Sequence, residues 1–497
     1  MARRLLAILV AALMIAGCFA VTASASAAQD KVTLKVYIPG DRPPNMDAVL
    51  AEAESRMADT VNAKINLTFI PWSDLGSKTQ VMLAAGEVID LIFDAPWLHM
   101  NEMIAAGYYR SLDDLVAEYG PNIISTRSEL MLNSNKVNGQ LYGIPLGSTH
   151  ENTRQYTIRK DLREKLGFEP ITSFDELSAF LYAVKENEPS IIPFSTSPSA
   201  LDMSVANMRV ETNYDLQMRV TQALGQSMAL NYQGNDGVVH NLLDDMPEVF
   251  WGYITDARQW YLDKIVYQDI LAGQQQGDLL NAGQLAVGVD NSPNLNYTSL
   301  DTLRMTQPDG DLETFVPYKF EAGKNISSFQ QGNFQFVPMS SKNPERAIQF
   351  LNWANSSQAN YDLLAYGLEG TDWIAVGDNQ YEAIGTGYNY FPFAWIWNPQ
   401  QERLNARWTE EEVGNTKFFS EASNFVPSIL IGFTFDATPV TNEITVYSTL
   451  ESKYLLPLFN GVVDPDTTWA AFKAEAYDTV KVIQVELQGQ VDAFLNK

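Results

Sequence analysis

Residues 32 to 94 switch regularly between two hydrophobic periods, and that alternation restricts the fold more than any other feature of the chain. Val32, Leu34, Val36 and Ile38 fall at every second position, as in a strand. Met46, Val49, Leu50, Ala53, Met57 and Val61 then recur at helical spacing, with Asn45 placed to cap them. Ile65, Leu67 and Phe69 alternate again, Ser73 or Asp74 can start a second helix, and Gly86 can stop it. Val88 to Phe93 is a continuous apolar run suited to a fully buried strand. The order β-α-β-α-β predicts parallel strands with right-handed helical crossovers.

Open parallel sheets bind ligands beyond the carboxyl ends of their strands. Those ends read Gly40-Asp41-Arg42, Pro71-Trp72-Ser73-Asp74 and Asp94-Ala95-Pro96-Trp97, all on one sheet edge. Asp beside Trp suits a sugar, because an indole stacks on the C–H face of the ring while carboxylates and amides bond its hydroxyls. Asp372 with Trp373 has the same chemistry. Asp94 has a competing use as a helix cap with Pro96 in the first turn. The run "YNYFPFAWIWNP", Tyr388 to Pro399, reads as a strand in which Trp395 and Trp397 share a face, towards either core or ligand. Trp251, Trp260 and Trp353 lie on helical faces and read as core.

With 497 residues the chain is too long for one core, so two lobes are expected. A second α/β region begins at Gln155–Ile158. It continues through a helix capped by Ser173 with Glu176, the strand "SIIPFS", a helix in "DMPEVFWGYITDARQWYLDKIVY" and the strand "AGQLAVGVDNSP" ending in Asp290-Asn291. A helix starts near Asn343-Pro344, and the last 30 residues read as amphipathic helix.

Some chemistry is missing from the sequence. His99, His150 and His240 are scattered, and there is no H-E-x-x-H, phosphate-binding loop or G-x-S-x-G elbow, so no cofactor or metal is expected. The net charge is −27, which disfavours nucleic acid and anionic membrane surfaces. Arg3 and Arg4 precede an apolar segment, Leu5 to Ile15, as in an export signal. Losing both arginines takes the charge from −27 to −29. The one cysteine, Cys18, follows in Ile15-Ala16-Gly17-Cys18, which resembles a bacterial lipobox; the alternative is cleavage after Ala25 to Ala28 and free secretion.

"MLAAGEVIDLIFDAPW", "RKDLREKLGF…ITSFDELSAFLYAV", "LAVGVDNSP", "SSKNPERAIQFLNW" and "YDLLAYGLEGTDW" occur in an order that resembles the bacterial extracellular solute-binding proteins of family 1. The last two motifs resemble the larger lipoprotein subgroup with an extended C-terminal region. The resemblance implies a two-lobe α/β periplasmic-binding-protein fold of type II, hinged around a ligand cleft. It implies a monomer that is not an enzyme, and that captures an oligosaccharide for the permease subunits of an ABC importer. By this analogy the chain crosses between lobes near Gly143–Asn152, Gln284 and Ser340. After a signal segment at 1–28, lobe 1 is then 29–148 with 284–340, and lobe 2 is 149–283 with 341–497. The ligand residues so implied are Asp41, Trp72, Asp94, Trp97, Asn152, Asp290, Asn291, Glu369 and Trp373, to which the aromatic run adds Trp395 and Trp397. Acidic strand exits disfavour uronic acids, whereas Arg42 leaves them open. A secreted carbohydrate-active enzyme, or a peptide binder of the same fold, are the competing readings.

Overall fold

The computed structural model describes residues 30–496 apart from 148, 152, 197–200, 211–217 and 273–275. Cys18 and Asn152 therefore lie outside the described residues.

The first α/β rhythm folds as predicted. Strand β1 (Val32–Pro39) pairs in parallel with β2 (Ala63–Ile70) on one side and β3 (Leu91–Asp94) on the other. Helices Met46–Arg56 and Leu75–Ala84 make the crossovers. Asn45 does not cap the first of them; its side-chain amide donates to Asp372 Oδ1 at 2.6 Å instead. Leu91, Ile92 and Phe93 are wholly buried, which explains the unbroken apolar run. The strand is shorter than expected because Asp90 turns aside, accepting from the Lys35 N–H at 2.9 Å and from Ser341 Oγ at 2.7 Å. Strand Asn333–Phe336 joins antiparallel to β3, and Gly143–Leu146 completes the sheet.

A second, four-stranded sheet has the order 312–315, 155–159, 285–290, 192–194. Ser173 caps the helix Phe174–Asn187 by accepting from the Glu176 N–H, and Glu176 reaches back to the Thr172 N–H at 2.8 Å. The helix Glu248–Leu262 and the long C-terminal helix Pro465–Leu495 bury their apolar stripes in this lobe's core. Trp251 and Trp260 pack against that core, and Trp353 is buried in the other.

The expected allocation of segments to lobes requires correction. Leu285–Asp290 is an inner strand of the second sheet, so residues 284–315 do not belong with the first lobe. Helices Pro344–Ala354 and Gln358–Tyr366 share a core with β1 and β2, so they belong with the first lobe. Each apolar face goes to the sheet that can bury it. The chain leaves the first lobe after Leu146, returns between Phe315 and Asn333, and leaves again after Leu404–Asn405, the edge strand of a separate three-stranded sheet with 373–376 and 380–383. Near Gln284 and Ser340 there is no crossing.

The crossings are knitted together. Strand Asn325–Ser327 runs parallel to Phe425–Pro427, and Tyr318, Phe329, Phe419 and Phe425 form a small core beside them. Gly147 allows the closest approach: a Cβ there would lie 1.7 Å from Gln331 Oε1. Gln331 also donates to the Thr149 carbonyl at 3.0 Å.

Candidate functional site

The carboxyl ends of β2 and β3 form one aromatic wall. Trp72 and Trp97 remain 43% and 40% exposed, with ring centroids 6.4 Å apart and planes tilted by 32°. Phe93 supports both from below, and Phe393 lies 6.2 Å from Trp72. Trp97 is held from across the sheet, its indole N–H donating to the Gly332 carbonyl at 2.7 Å. Asp41 is exposed beside this wall, after Gly40, whose φ of +95° turns the chain under Trp72. Arg42 is occupied, paired with Asp47 and donating to the Leu67 carbonyl at 3.0 Å.

Asp94 points inwards, which corrects its expected role as a ligand residue. It is 1% exposed; Oδ1 accepts from the Ala95 N–H at 2.7 Å and Oδ2 accepts from the Tyr109 hydroxyl at 2.7 Å. Burial pushes its pKa up to about 6, against the opposing pull of those hydrogen bonds. Trp373 and Trp395 are also corrected, being core residues of the first lobe. Trp373 donates to the Gly367 carbonyl at 3.1 Å. Glu369 is exposed on the turn that bridges to Trp373, and neither residue lines the cleft described below. The aromatic run is a 3-10 turn at Pro392–Ala394 rather than a strand, so Trp395 and Trp397 do not share a strand face. Trp397 is half-buried and its carbonyl accepts from Arg127 at 3.2 Å.

Between the lobes lies a cleft of about 460 Å³. Pro96, Trp97 and Asn101 line it from the first lobe, and Arg154, Asp202, Arg219 and Tyr232 line it from the second. The crossings contribute Tyr318, Gln330 and Gln331. Near the exit of strand Leu285–Asp290, Asn291 accepts from Arg154 Nε at 3.1 Å, and Arg154 also pairs with Asp202 at 2.5 Å. Asn291 thus positions a cleft residue. Asp290 accepts from the Asn291 N–H at 2.7 Å, and burial raises its pKa. Phe329 adopts φ +55° beside the cleft, an unusual conformation for a bulky side chain.

The structure brings Trp97, Trp72 and Asp41 to one edge and leaves Glu369, Trp373 and Trp395 elsewhere. Sequence reasoning missed the lobe-2 wall. Arg219 and Tyr232 are opposite partners in a three-stranded sheet of Met218–Val220, Leu230–Gln233 and Val239–Asn241. The only local signal was a polar stretch, "VTQALGQS", flanked by short alternating runs. Among the described residues no group of His, Cys, Asp and Glu could hold a metal, and no helix is long and apolar enough to cross a membrane.

Residues 43–361 match the bacterial extracellular solute-binding protein family, and residues 429–496 match a domain family of unknown function. A carbohydrate ABC transporter substrate-binding protein of Streptococcus pneumoniae is 23% identical over 474 residues, which cover 94% of this chain and 91% of the relative. Lipoprotein LipO of Bacillus subtilis is 26% identical over 198 residues, 38% of this chain and 37% of its own. The N-glycan transport solute-binding protein of Streptococcus pneumoniae, solved with Man1GlcNAc, superposes with a TM-score of 0.77 at 21% identity. That superposition covers 94% of this chain and 100% of the other.

Proposed function

The chain belongs to the bacterial extracellular solute-binding protein family, and on that premise we propose that it captures an oligosaccharide between its lobes and hands it to an ABC importer. The observation that carries this reading is the cleft itself. It has exposed indole on one wall and a polar, charged wall opposite, with the crossing segments between. Trp97, with Trp72 beside it, offers a face to a sugar ring. Arg154, Asp202 and Gln331 offer donors and acceptors to its hydroxyls. The carbohydrate and N-glycan names of two similar proteins support the same ligand class.

The mechanism is hinge closure. We assign residues 30–147 and 333–405 to one lobe, 153–315 and 430–496 to the other, and the segments between them to the hinge. A ligand touching both walls binds the closed form better than the open one, and shifts the population by that difference in affinity. The closed form is what the permease would recognise. In this reading the importer's ATPase subunits supply the energy. Cys18 is read as the lipid-anchored residue of a monomeric surface protein, a reading supported by the lipoprotein similarity.

Calorimetry with neutral and acidic oligosaccharides tests the ligand class. Saturable binding with the sugar recovered unchanged is expected. Silence across the panel from folded protein, or cleavage of the sugar, contradicts the proposal, and preferential binding of peptides favours the peptide alternative.

A further inference from the structure

The lobe-2 wall of the cleft carries polar groups that the protein leaves unanswered. Thr221 is 1% exposed and Tyr232 is 7% exposed, yet among the described residues neither the Thr221 hydroxyl nor the Tyr232 hydroxyl has a hydrogen-bond partner. The Arg219 guanidinium lies over the Tyr232 ring, 6.0 Å from its centroid. It donates through Nη2 to the Gly234 carbonyl at 2.6 Å, while Nε is buried with no partner among the described residues. Buried polar groups are normally bonded, so three unanswered groups from one small sheet and the loop after it point to an absent acceptor.

The charges narrow what that acceptor is. The chain has 60 acidic and 33 basic residues, so carboxylates are abundant. Even so, among the described residues none meets Arg219 at ion-pair distance; Glu151 and Asp236 act on it only from further away. Burial pulls the guanidinium's pKa down, as expected of a desolvated charge without a close counter-ion. Lys324, also lining the cleft, is exposed and makes no ion pair among the described residues. Arg154, by contrast, is already paired with Asp202.

We infer that Arg219, Thr221 and Tyr232 form a subsite for an acidic sugar, with Arg219 donating to its carboxylate and the two hydroxyls completing its shell. A planar carboxylate matches the guanidinium fork, and a charge-assisted bond is about twice as strong as a neutral one. The inference rests on the oligosaccharide reading above and adds to it the charge of the ligand.

The test uses calorimetry on the mature protein with glucose-, galactose- and mannose-based oligosaccharides, each paired with its counterpart ending in a uronic acid or N-acetylneuraminate. For at least one pair the acidic member should bind about tenfold tighter, the factor that one good charge-assisted contact supplies. Arg219→Gln should erase that ratio by weakening the acidic member about tenfold relative to its neutral partner, whereas Arg219→Lys should keep part of it. Thermal melting and circular dichroism establish that each variant is folded. If Arg219→Gln does not fold, the Lys variant with Tyr232→Phe carries the same comparison. Equal or tighter binding of every neutral member, or a ratio unmoved by the variants, overturns the acidic subsite and leaves the oligosaccharide reading intact. Silence towards every sugar overturns both.

Discussion

Asp94 and Trp97 leave the same strand, and only one of them meets the cleft. The Asp94 carboxylate turns back to bond Tyr109 and the next turn's N–H groups, while Trp97 lies across the sheet end, tethered to the Gly332 carbonyl. Trp97→Ala should weaken oligosaccharide binding about tenfold or more by calorimetry, as for a central aromatic contact, with the melting temperature little changed. Asp94 makes a different prediction. Its pKa is raised from 3.8 to about 6, so the native state holds the proton more tightly than the unfolded chain. Its stabilising contribution is fully present below the unfolded value and is lost as pH rises through the native one. Chemical denaturation of wild type against Asp94→Asn should therefore show wild type losing about 2 kcal/mol relative to the variant between pH 4 and 6, and about 3 kcal/mol from pH 3 to pH 8, roughly two pKa units of linkage. Asp94→Ala leaves the Tyr109 hydroxyl and the Ala95 N–H without this partner, and should cost about 2–4 kcal/mol at pH 4, a cost that shrinks as pH rises through 6. The sequence showed that this pair ended a strand at a binding edge. Which residue faced out depended on Tyr109, fifteen positions away, and was not legible.

At the scale of elements, legibility followed periodicity. The three parallel strands and their helices were plain because each buries a regular stripe. The helix at 344–354 was plain because Pro344 starts it and Ala347, Ile348 and Leu351 recur on its buried face. The aromatic run at 388–399 misled because dense aromatics fit a strand or a packed turn equally well. Here Pro392 starts a 3-10 turn that sends Trp395 into the core. The small sheet of 218–241 escaped notice because its strands are only three or four residues long, too short for a period to emerge. The C-terminal helix buries Phe472, Ala476, Val480, Ile483, Leu487 and Val491 in the second lobe. Ile483→Ala should lower stability by about 2–4 kcal/mol in urea unfolding, the usual loss for a large core side chain. A variant as stable as wild type would show that the helix is not part of that core.

At the scale of the molecule, the two lobes follow from chain length, but their boundaries do not. Which sheet receives Leu285–Asp290 depends on pairing partners more than 90 residues away, at 192–194 in one direction and 155–159 in the other. Export and anchoring are read from the N-terminal segment. Cys18→Ala should move the protein from the membrane fraction to the medium if the cysteine is lipidated, and a wild-type protein already free in the medium would contradict the anchor. Capture between the lobes is the central claim, and hydrogen–deuterium exchange with and without a calorimetrically identified oligosaccharide tests it most directly. The ligand should slow exchange together at residues 96–101 of the first lobe, 218–226 of the second and 324–332 of the crossing between them. Protection confined to one lobe, or found away from all three segments, would contradict it.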